Sequence, residues 1–291
     1  MTGWTIGVIG GSGLYEIDAL EDPRWITIDT PWGAPSDQLL TGRIGAVEFV
    51  FLPRHGRGHR LPPSDVNARA NIDALKRAGC TDVVAISAVG SLREQLAPGQ
   101  FVIVEQFIDR TLARAKSFFG PGMVAHVSMA DPTCPRLSGL CGDAASAAGA
   151  TVVRGGAYLA MEGPQFSSRA ESLLYRQWGC DVIGMTAMPE AKLASEAELP
   201  YALVGMFTDY DCWRGGEDAV EVSAVMAQLM ANADLGRELV VRLAELLPRE
   251  RAPSPIDTAL DSAIITAPEA RDPALLAKLD AVCARVTAAQ R

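Results

Sequence analysis

Seven short apolar runs limit what this chain can fold into: Trp4–Ile9, Val47–Leu52, Val83–Ile86, Phe101–Val104, Ala157–Met161, Val182–Met185 and Tyr201–Phe207. Each is shorter than a typical core helix and is bounded by Gly, Pro or polar residues. Such runs read as buried strands. Helical patterns lie between them. Ser64 is expected to cap a helix reaching about Ala78, with Val66, Ala70, Ala74 and Ala78 repeating every fourth residue and Gly79 as the stop. A helix of small residues is expected from about Pro135 to Ala148. Ser168-Arg-Ala-Glu171 is a capping box for a helix ending at Trp178. Pro189-Glu190 opens another helix. From about Glu217 the chain reads as one helix or a pair, with Val222, Val225, Met226 and Leu229 on one face and a stop at Pro248. Alternating strands and helices predict an α/β fold: a single domain over residues 1–248 with a central mixed β-sheet flanked by helices. Residues 249–291, richer in Pro and charge, read as a helical C-terminal extension docked on it.

The chain has 291 residues, enough for a sizeable core. Its net charge is −9 and it shows no basic stripe, which argues against nucleic-acid binding. That charge makes anion binding a local matter for a few cations, hydroxyls and backbone amides. A strand begins close to the first residue, so no signal peptide is expected. No apolar run approaches the roughly 18 residues of a membrane span. The six cysteines are scattered without a C-x-x-C pair and are expected to be free cytosolic thiols. A cytoplasmic location follows as an expectation. His55 and His59 have zinc-like spacing, but Gly56 and Gly58 argue against the helix such a site needs, and no metal is expected.

The chemistry gathers where strands end. The first strand runs into Gly10-Gly-Ser-Gly13, which can fold its N–H groups into an anion nest. A dinucleotide fingerprint would need a third glycine at position 16, where Glu16 stands. The second run ends in Pro53-Arg54-His55. Arg54 offers a bidentate fork for phosphate, and His55 can donate a hydrogen bond in either protonation state. Arg57, His59 and Arg60 read as a solvated basic loop. Further strand ends carry Ser87 with Ala88, and Thr186. The last strand leads into Thr208-Asp209-Tyr-Asp211-Cys-Trp213, whose alternative reading is a turn with two solvated aspartates. In open α/β sheets ligands bind outside the carboxyl ends of strands. In a dry pocket one of two neighbouring carboxyls holds its proton near neutral pH. A protonated Asp can donate to a ring nitrogen, as a departing purine requires. Hydroxyls, an Arg and a His make a phosphate cup; two aspartates and Phe166 make a purine slot.

These residues also carry a family resemblance. Ile9-Gly-Gly-Ser-Gly-Leu14, Arg54-His-Gly56, Ala88-Val-Gly-Ser-Leu-Arg-Glu94, Gln106-Phe-Ile-Asp-Arg-Thr111, Glu162-Gly-Pro-Gln-Phe-Ser-Ser-Arg-Ala-Glu171, Gly184-Met-Thr186 with Pro189-Glu190, and Thr208–Trp213 occur in order. Together they resemble the methylthioadenosine phosphorylase branch of the trimeric purine nucleoside phosphorylase family over roughly residues 4 to 247. The resemblance implies a homotrimer without a cofactor, with inorganic phosphate as co-substrate. It implies phosphate on Ser12, Arg54, His55, Ser87, Ala88 and Thr186. It implies ribose near Met185 and base near Phe166, Ser167, Asp209 and Asp211. The 5′-methylthio group would meet Val222, Val225 and Met226, with His126 from a neighbouring subunit. Departures from the family are Ser12 and Ser87 where many relatives carry Thr, Gly184 where animal members carry Asn, Ala113-Arg-Ala-Lys116, and the tail beyond Pro248.

Asp209 and Ser167 stand where a 6-oxopurine enzyme would carry Asn and Glu, which favours a 6-aminopurine. The expected reaction is phosphorolysis of 5′-methylthioadenosine to adenine and 5-methylthioribose 1-phosphate, by Asp209 and Asp211. The alternatives are a 6-oxopurine nucleoside or methylthioinosine phosphorylase, and a purine-nucleoside-binding protein without catalysis. A nucleoside hydrolase fits less well, since no aspartate-rich calcium cluster opens the chain.

Overall fold

The computed structural model describes residues 3–11, 13, 14, 16–214 and 222–288. Among them, eleven strands form one mixed sheet. They are β1 (Thr5–Gly10), β2 (Glu21–Ile26), β3 (Leu39–Ile44), β4 (Val47–Pro53), β5 (Asp82–Ser91), β6 (Phe101–Val104), β7 (Gln106–Asp109), β8 (Val152–Arg154), β9 (Ala157–Ala160), β10 (Val182–Gly184) and β11 (Tyr201–Asp209). The helices are α1 (Ala68–Arg77), α2 (Pro135–Ala147), α3 (Arg169–Gln177), α4 (Ala187–Glu196), α5 (Val222–Leu246), α6 (Pro273–Lys278) and α7 (Ala284–Ala288). Each of the seven apolar runs lies on a strand. The strands without such a run are β2, β3, β7 and β8. Three of these, β2, β7 and β8, are edge strands, which bury little and so carry little apolar signal.

β5 is the spine. Its first residues pair in parallel with β1, from Ile6↔Asp82 to Ile9↔Ala85. Its last two pair antiparallel with β10, at Gly90↔Ile183 and Ser91↔Val182. β11 runs parallel along its other edge. Residues 86–89 of β5 therefore have no strand neighbour on the β1/β10 side. The carboxyl ends of β1 and β10 approach this gap from opposite directions, and β4 ends beside β1 at Gly10↔Pro53.

Side chains alternate across the sheet as the strand period requires. Val83, Ala85 and Val89 of β5 face a core shared with α1, α4 and the tail residues Leu260, Leu279 and Val282. Val84 and Ile86 face a second core with Leu137 and Cys141 of α2 and Leu239, Val240 and Leu243 of α5.

One local expectation needs correction. Ser64 does not cap a helix: it lies in a short 3₁₀ turn (Pro63–Asp65), and Asn67 caps α1 by accepting the Ala70 N–H at 3.2 Å. Of the two readings of the segment before Pro248, one helix or a pair, the described residues form one 25-residue helix. The capping box is present in full, with Ser168 and Glu171 each accepting the other's backbone N–H. The tail is tied down by charge as well as by packing. Arg251 meets Asp82 at 2.5 Å and Asp257 at 2.6 Å, and the Trp4 indole N–H donates to the Pro248 carbonyl at 2.7 Å. No described helix is long and apolar enough to cross a membrane.

Candidate active site

A pocket of about 250 Å³ opens beside the gap in the sheet. Its walls include His55, Ala88, Phe166, Met185, Thr186, Asp209, Asp211, Val222, Val225 and Met226. Ten of the residues that the sequence singles out thus share one cavity.

The base-side end is built by β11. Asp209 is the last residue of this strand, and the chain then turns so that the Asp211 N–H donates to Asp209 Oδ1 at 2.7 Å. Asp211 sits at φ 53°, a left-handed conformation that Asp tolerates better than most residues. Asp209 Oδ2 accepts from the Thr208 hydroxyl at 2.7 Å, and that hydroxyl also lies 3.3 Å from the Val89 carbonyl. Burial pushes the Asp209 carboxyl above its ordinary value, only partly offset by the Thr208 and Asp211 hydrogen bonds. Burial likewise raises Asp211, aided by the Asp209 charge and opposed by Ser172. Asp211 Oδ2 is buried without a hydrogen-bond partner. Two buried carboxyls whose hold on a proton is strengthened, one with an unsatisfied oxygen, suit a ligand that both donates and accepts. Gly90 lies against this pair: a Cβ there would meet Asp209 Oδ1 at 3.0 Å and Ile183 at 2.9 Å.

The opposite end is lined by hydroxyls and rings. Ser87 Oγ and Thr186 Oγ1 lie 2.9 Å apart, bridging the middle of β5 and the start of α4. Ile86 turns its carbonyl into the gap, where it accepts Arg54 Nη1 at 3.1 Å. Strand alternation turns the Ala88 backbone to the same side.

The two basic residues stand differently from expectation. Arg54 does not present its fork to the open pocket. Its Nε and Nη2 engage Glu190 at 2.5 and 3.2 Å, and Nη2 also donates to the Ile9 carbonyl at 3.2 Å. With Ile86, this leaves one Nη1 hydrogen for a ligand. The fork is taken because Glu190, 2% exposed, needs a buried counter-charge. The His55 donor is already committed within the protein in the neutral ring. Its Nδ1 lies 2.8 Å from the Leu61 carbonyl, so Nδ1 carries the proton and Nε2 is an acceptor. Burial, helped by the Arg54 charge, lowers its pKa to about 4 and keeps the ring neutral.

The chain can now be compared with known proteins. The model of the family described as "Phosphorylase superfamily" matches residues 5–245. The chain belongs to this superfamily. It is 63% identical to the S-methyl-5′-thioadenosine phosphorylase of Cereibacter sphaeroides, covering 97% of this chain and 98% of the relative. It is 57% identical to that of Bradyrhizobium diazoefficiens, covering 98% and 99%. A crystal structure of a methylthioadenosine phosphorylase from an antarctic soil metagenomic library superposes with a TM-score of 0.92 at 45% identity, covering 97% of this chain and 99% of the other. A variant of the adenosine/methylthioadenosine phosphorylase of Schistosoma mansoni, solved in complex with methylthioadenosine, gives 0.77 at 38% identity, covering 84% and 91%.

Within this superfamily chain, the remaining predicted residues stand apart from the pocket wall to different degrees. Ser12 lies outside the described residues. Ser167 is buried behind the wall, its hydroxyl 3.7 Å from Met161 Sδ. The Cys212 thiol, raised by burial, donates to the Ser167 carbonyl at 3.1 Å, a packed thiol. His126 is exposed and lies outside this chain's own pocket.

The sequence reading missed some wall residues. His59 lines the pocket, its ring stacked on His55 at 4.3 Å. It had read as solvated because it lies four residues beyond its strand. Leu229 also lines the pocket; its place on the Val222–Met226 face of α5 was the available signal. Gly184 has a packing reason: a Cβ there would overlap the Tyr158 hydroxyl, with Tyr158 Cζ at 2.8 Å. That hydroxyl accepts the Thr186 N–H at 3.3 Å, so the tyrosine occupies the space a side chain at 184 would need.

Proposed function

We propose that this chain is a pentosyltransferase that phosphorolyses 5′-methylthioadenosine to adenine and 5-methylthioribose 1-phosphate. One observation carries the reading: a single cavity combines a buried aspartate pair, Thr186, whose hydroxyl lies 2.9 Å from Ser87 Oγ, and an apolar wall of Val222, Val225, Met226 and Leu229. The relatives' names support it.

Phosphate beneath the anomeric carbon is the nucleophile, and it also stabilises the positive charge that builds on the ribosyl ring. Ser87, Thr186, the Ala88 backbone and the free Nη1 hydrogen of Arg54 hold it, with Ser12 as a further hydroxyl. His55 Nε2 accepts a hydrogen bond from hydrogen phosphate, which leaves another, unprotonated phosphate oxygen free to attack. Asp209 donates a proton to N7, so that adenine departs neutral. Asp211, through its unpartnered oxygen, accepts from the 6-amino group. Ser167 supports Asp211, Phe166 covers the base, and Met185 packs on the ribose. The apolar wall receives the methylthio group.

The working assembly is a homotrimer in which His126 of a neighbouring copy closes the 5′ side. Exposed apolar residues on α3, Leu173 and Leu174, and Trp178 just past it support burial by another copy. The reaction needs no cofactor beyond phosphate as co-substrate, involves neither nucleic acid nor membrane, and suits a cytoplasmic salvage role for purine and methionine.

The test is adenine release from methylthioadenosine with and without phosphate, beside adenosine, inosine and methylthioinosine. Phosphate-dependent release fastest from methylthioadenosine is expected. Preference for the inosine compounds would reassign the aspartates, and binding without cleavage would leave a nucleoside-binding protein.

A further inference from the structure

Arg114 lies in the irregular segment between β7 and α2, and its side chain is 5% exposed. It lines the same small recess as Arg54 and Thr186, so on charge alone it looks like a phosphate ligand. Its hydrogen bonds exclude that. Nη1 donates to the Met185 carbonyl at 2.6 Å and the Met188 carbonyl at 2.7 Å. Nη2 donates to the Glu162 carbonyl at 2.5 Å and, weakly, to that of Met161 at 3.5 Å. Nε faces Glu162 Oε1 at 3.4 Å. All five guanidinium hydrogens point at protein oxygens, and none is left for an anion.

The partners are the strand ends that carry the site. Met161 and Glu162 follow β9 and precede Phe166 and Ser167; Met185 follows β10 and precedes Thr186. The Glu162 carboxylate in turn accepts from the Ser64 hydroxyl and the Leu112 and Ala113 N–H groups. The Glu162 carboxyl is pulled up by burial, but these bonds outweigh that and hold it at about 2, ionised at neutral pH. Two stretches, 161–162 and 185–188, thus meet on one planar cation, and Ser64 and residues 112–113 join them through the Glu162 carboxylate.

We propose that Arg114 is a positioning residue that sets the spacing between the base-covering segment after β9 and the phosphate-binding segment after β10. This rests on the functional reading above. A guanidinium is needed because five donors in a plane reach both strand ends; a lysine ammonium has three donors at one point. Loss of the fork shifts both half-sites together.

The experiment measures dissociation constants for adenine and for inorganic phosphate separately, by calorimetry on the full chain, for wild type, Arg114→Ala and Arg114→Lys. Near-attack placement is sensitive enough that kcat should fall about 10²-fold. The expected result is weaker binding of both ligands in both variants, with Lys failing to rescue and added guanidinium ion partly restoring Arg114→Ala. Far-ultraviolet circular dichroism identifies folded protein; if Arg114→Ala does not fold, Arg114→Lys alone gives the same comparison. Weakened phosphate with unchanged adenine binding makes Arg114 a phosphate ligand and overturns the proposal. Unchanged binding of both, or full rescue by Lys, also overturns it. A wild type that binds neither ligand overturns the functional reading itself.

Discussion

Arg54 and Glu190 form a buried ion pair at the floor of the site, with Nε and Oε1 2.5 Å apart and side chains 3% and 2% exposed. Tyr201 adds its hydroxyl to Glu190 at 3.2 Å. Removing either partner leaves an uncompensated buried charge, which costs about 3–5 kcal/mol. Arg54→Met and Glu190→Gln should each lower stability by that order. The double variant should cost less than the sum, because no charge is stranded. Both variants lacking Arg54 should show a raised KM for phosphate. Denaturant unfolding and phosphate titration check the two halves; additive costs would mean that the pair is not coupled.

In the proposed mechanism, leaving-group chemistry turns on Asp209. Replacing it with Ala or Asn should lower kcat by about 10²–10⁴-fold while the fold survives. Its raised pKa has a signed consequence: the donating form is lost as pH rises through that pKa, so wild-type kcat should fall on the alkaline side. In the Asn variant that limb should vanish with the activity. Unchanged turnover in Asp209→Ala would remove the residue from the chemistry.

The 5′ wall is apolar, and a pocket of this kind discriminates a methylthio group from a hydroxyl by only about 1–3 kcal/mol. Val225→Thr and Met226→Gln should each shift the ratio of kcat/KM for methylthioadenosine over adenosine by roughly 10-fold toward adenosine, with little change for phosphate. Competition assays with both nucleosides read this directly. A shift in phosphate KM without a change in the ratio would place the wall elsewhere.

The central strands were legible because each has a continuous apolar run, and several of those runs stop at a residue of the candidate site. Strands such as β2 were not, since Glu21–Ile26 is almost wholly exposed and alternates no apolar face. The aspartate pair was legible as two carboxylates at a strand end, with a turn of two solvated aspartates as the alternative, and their burial decides against that alternative. The orientation of Arg54 was not, because it depends on Glu190, 136 positions away. Nothing local in Arg54-His-Gly56 says that the fork is already occupied. The same holds for His55, whose tautomer is set by the Leu61 carbonyl, and for Arg114, whose partners come from two later strand ends.

Glu196 provides a pH dependence separate from catalysis. Its carboxyl accepts from the Ser117 hydroxyl and the Phe118 N–H, both at 2.7 Å. Burial outweighs these bonds and raises its pKa from 4.5 to about 7. Between those values the folded protein binds a proton that the unfolded chain does not. Stability therefore falls as pH rises across that window, by up to about 1.4 kcal/mol per pH unit, and levels off above it. His55 has the opposite sign: its depressed pKa makes stability rise with pH from about 4 to 6.5. Glu196→Gln mimics the protonated acid: its amide oxygen accepts from the Phe118 N–H and its NH2 donates to Ser117 Oγ, which reverses that bond. Its Tm advantage over wild type should grow from pH 4.5 to about 7 and then stay constant. Thermal unfolding at matched ionic strength measures the difference, in which the His55 contribution cancels. A Tm difference independent of pH would mean that Glu196 is ionised throughout.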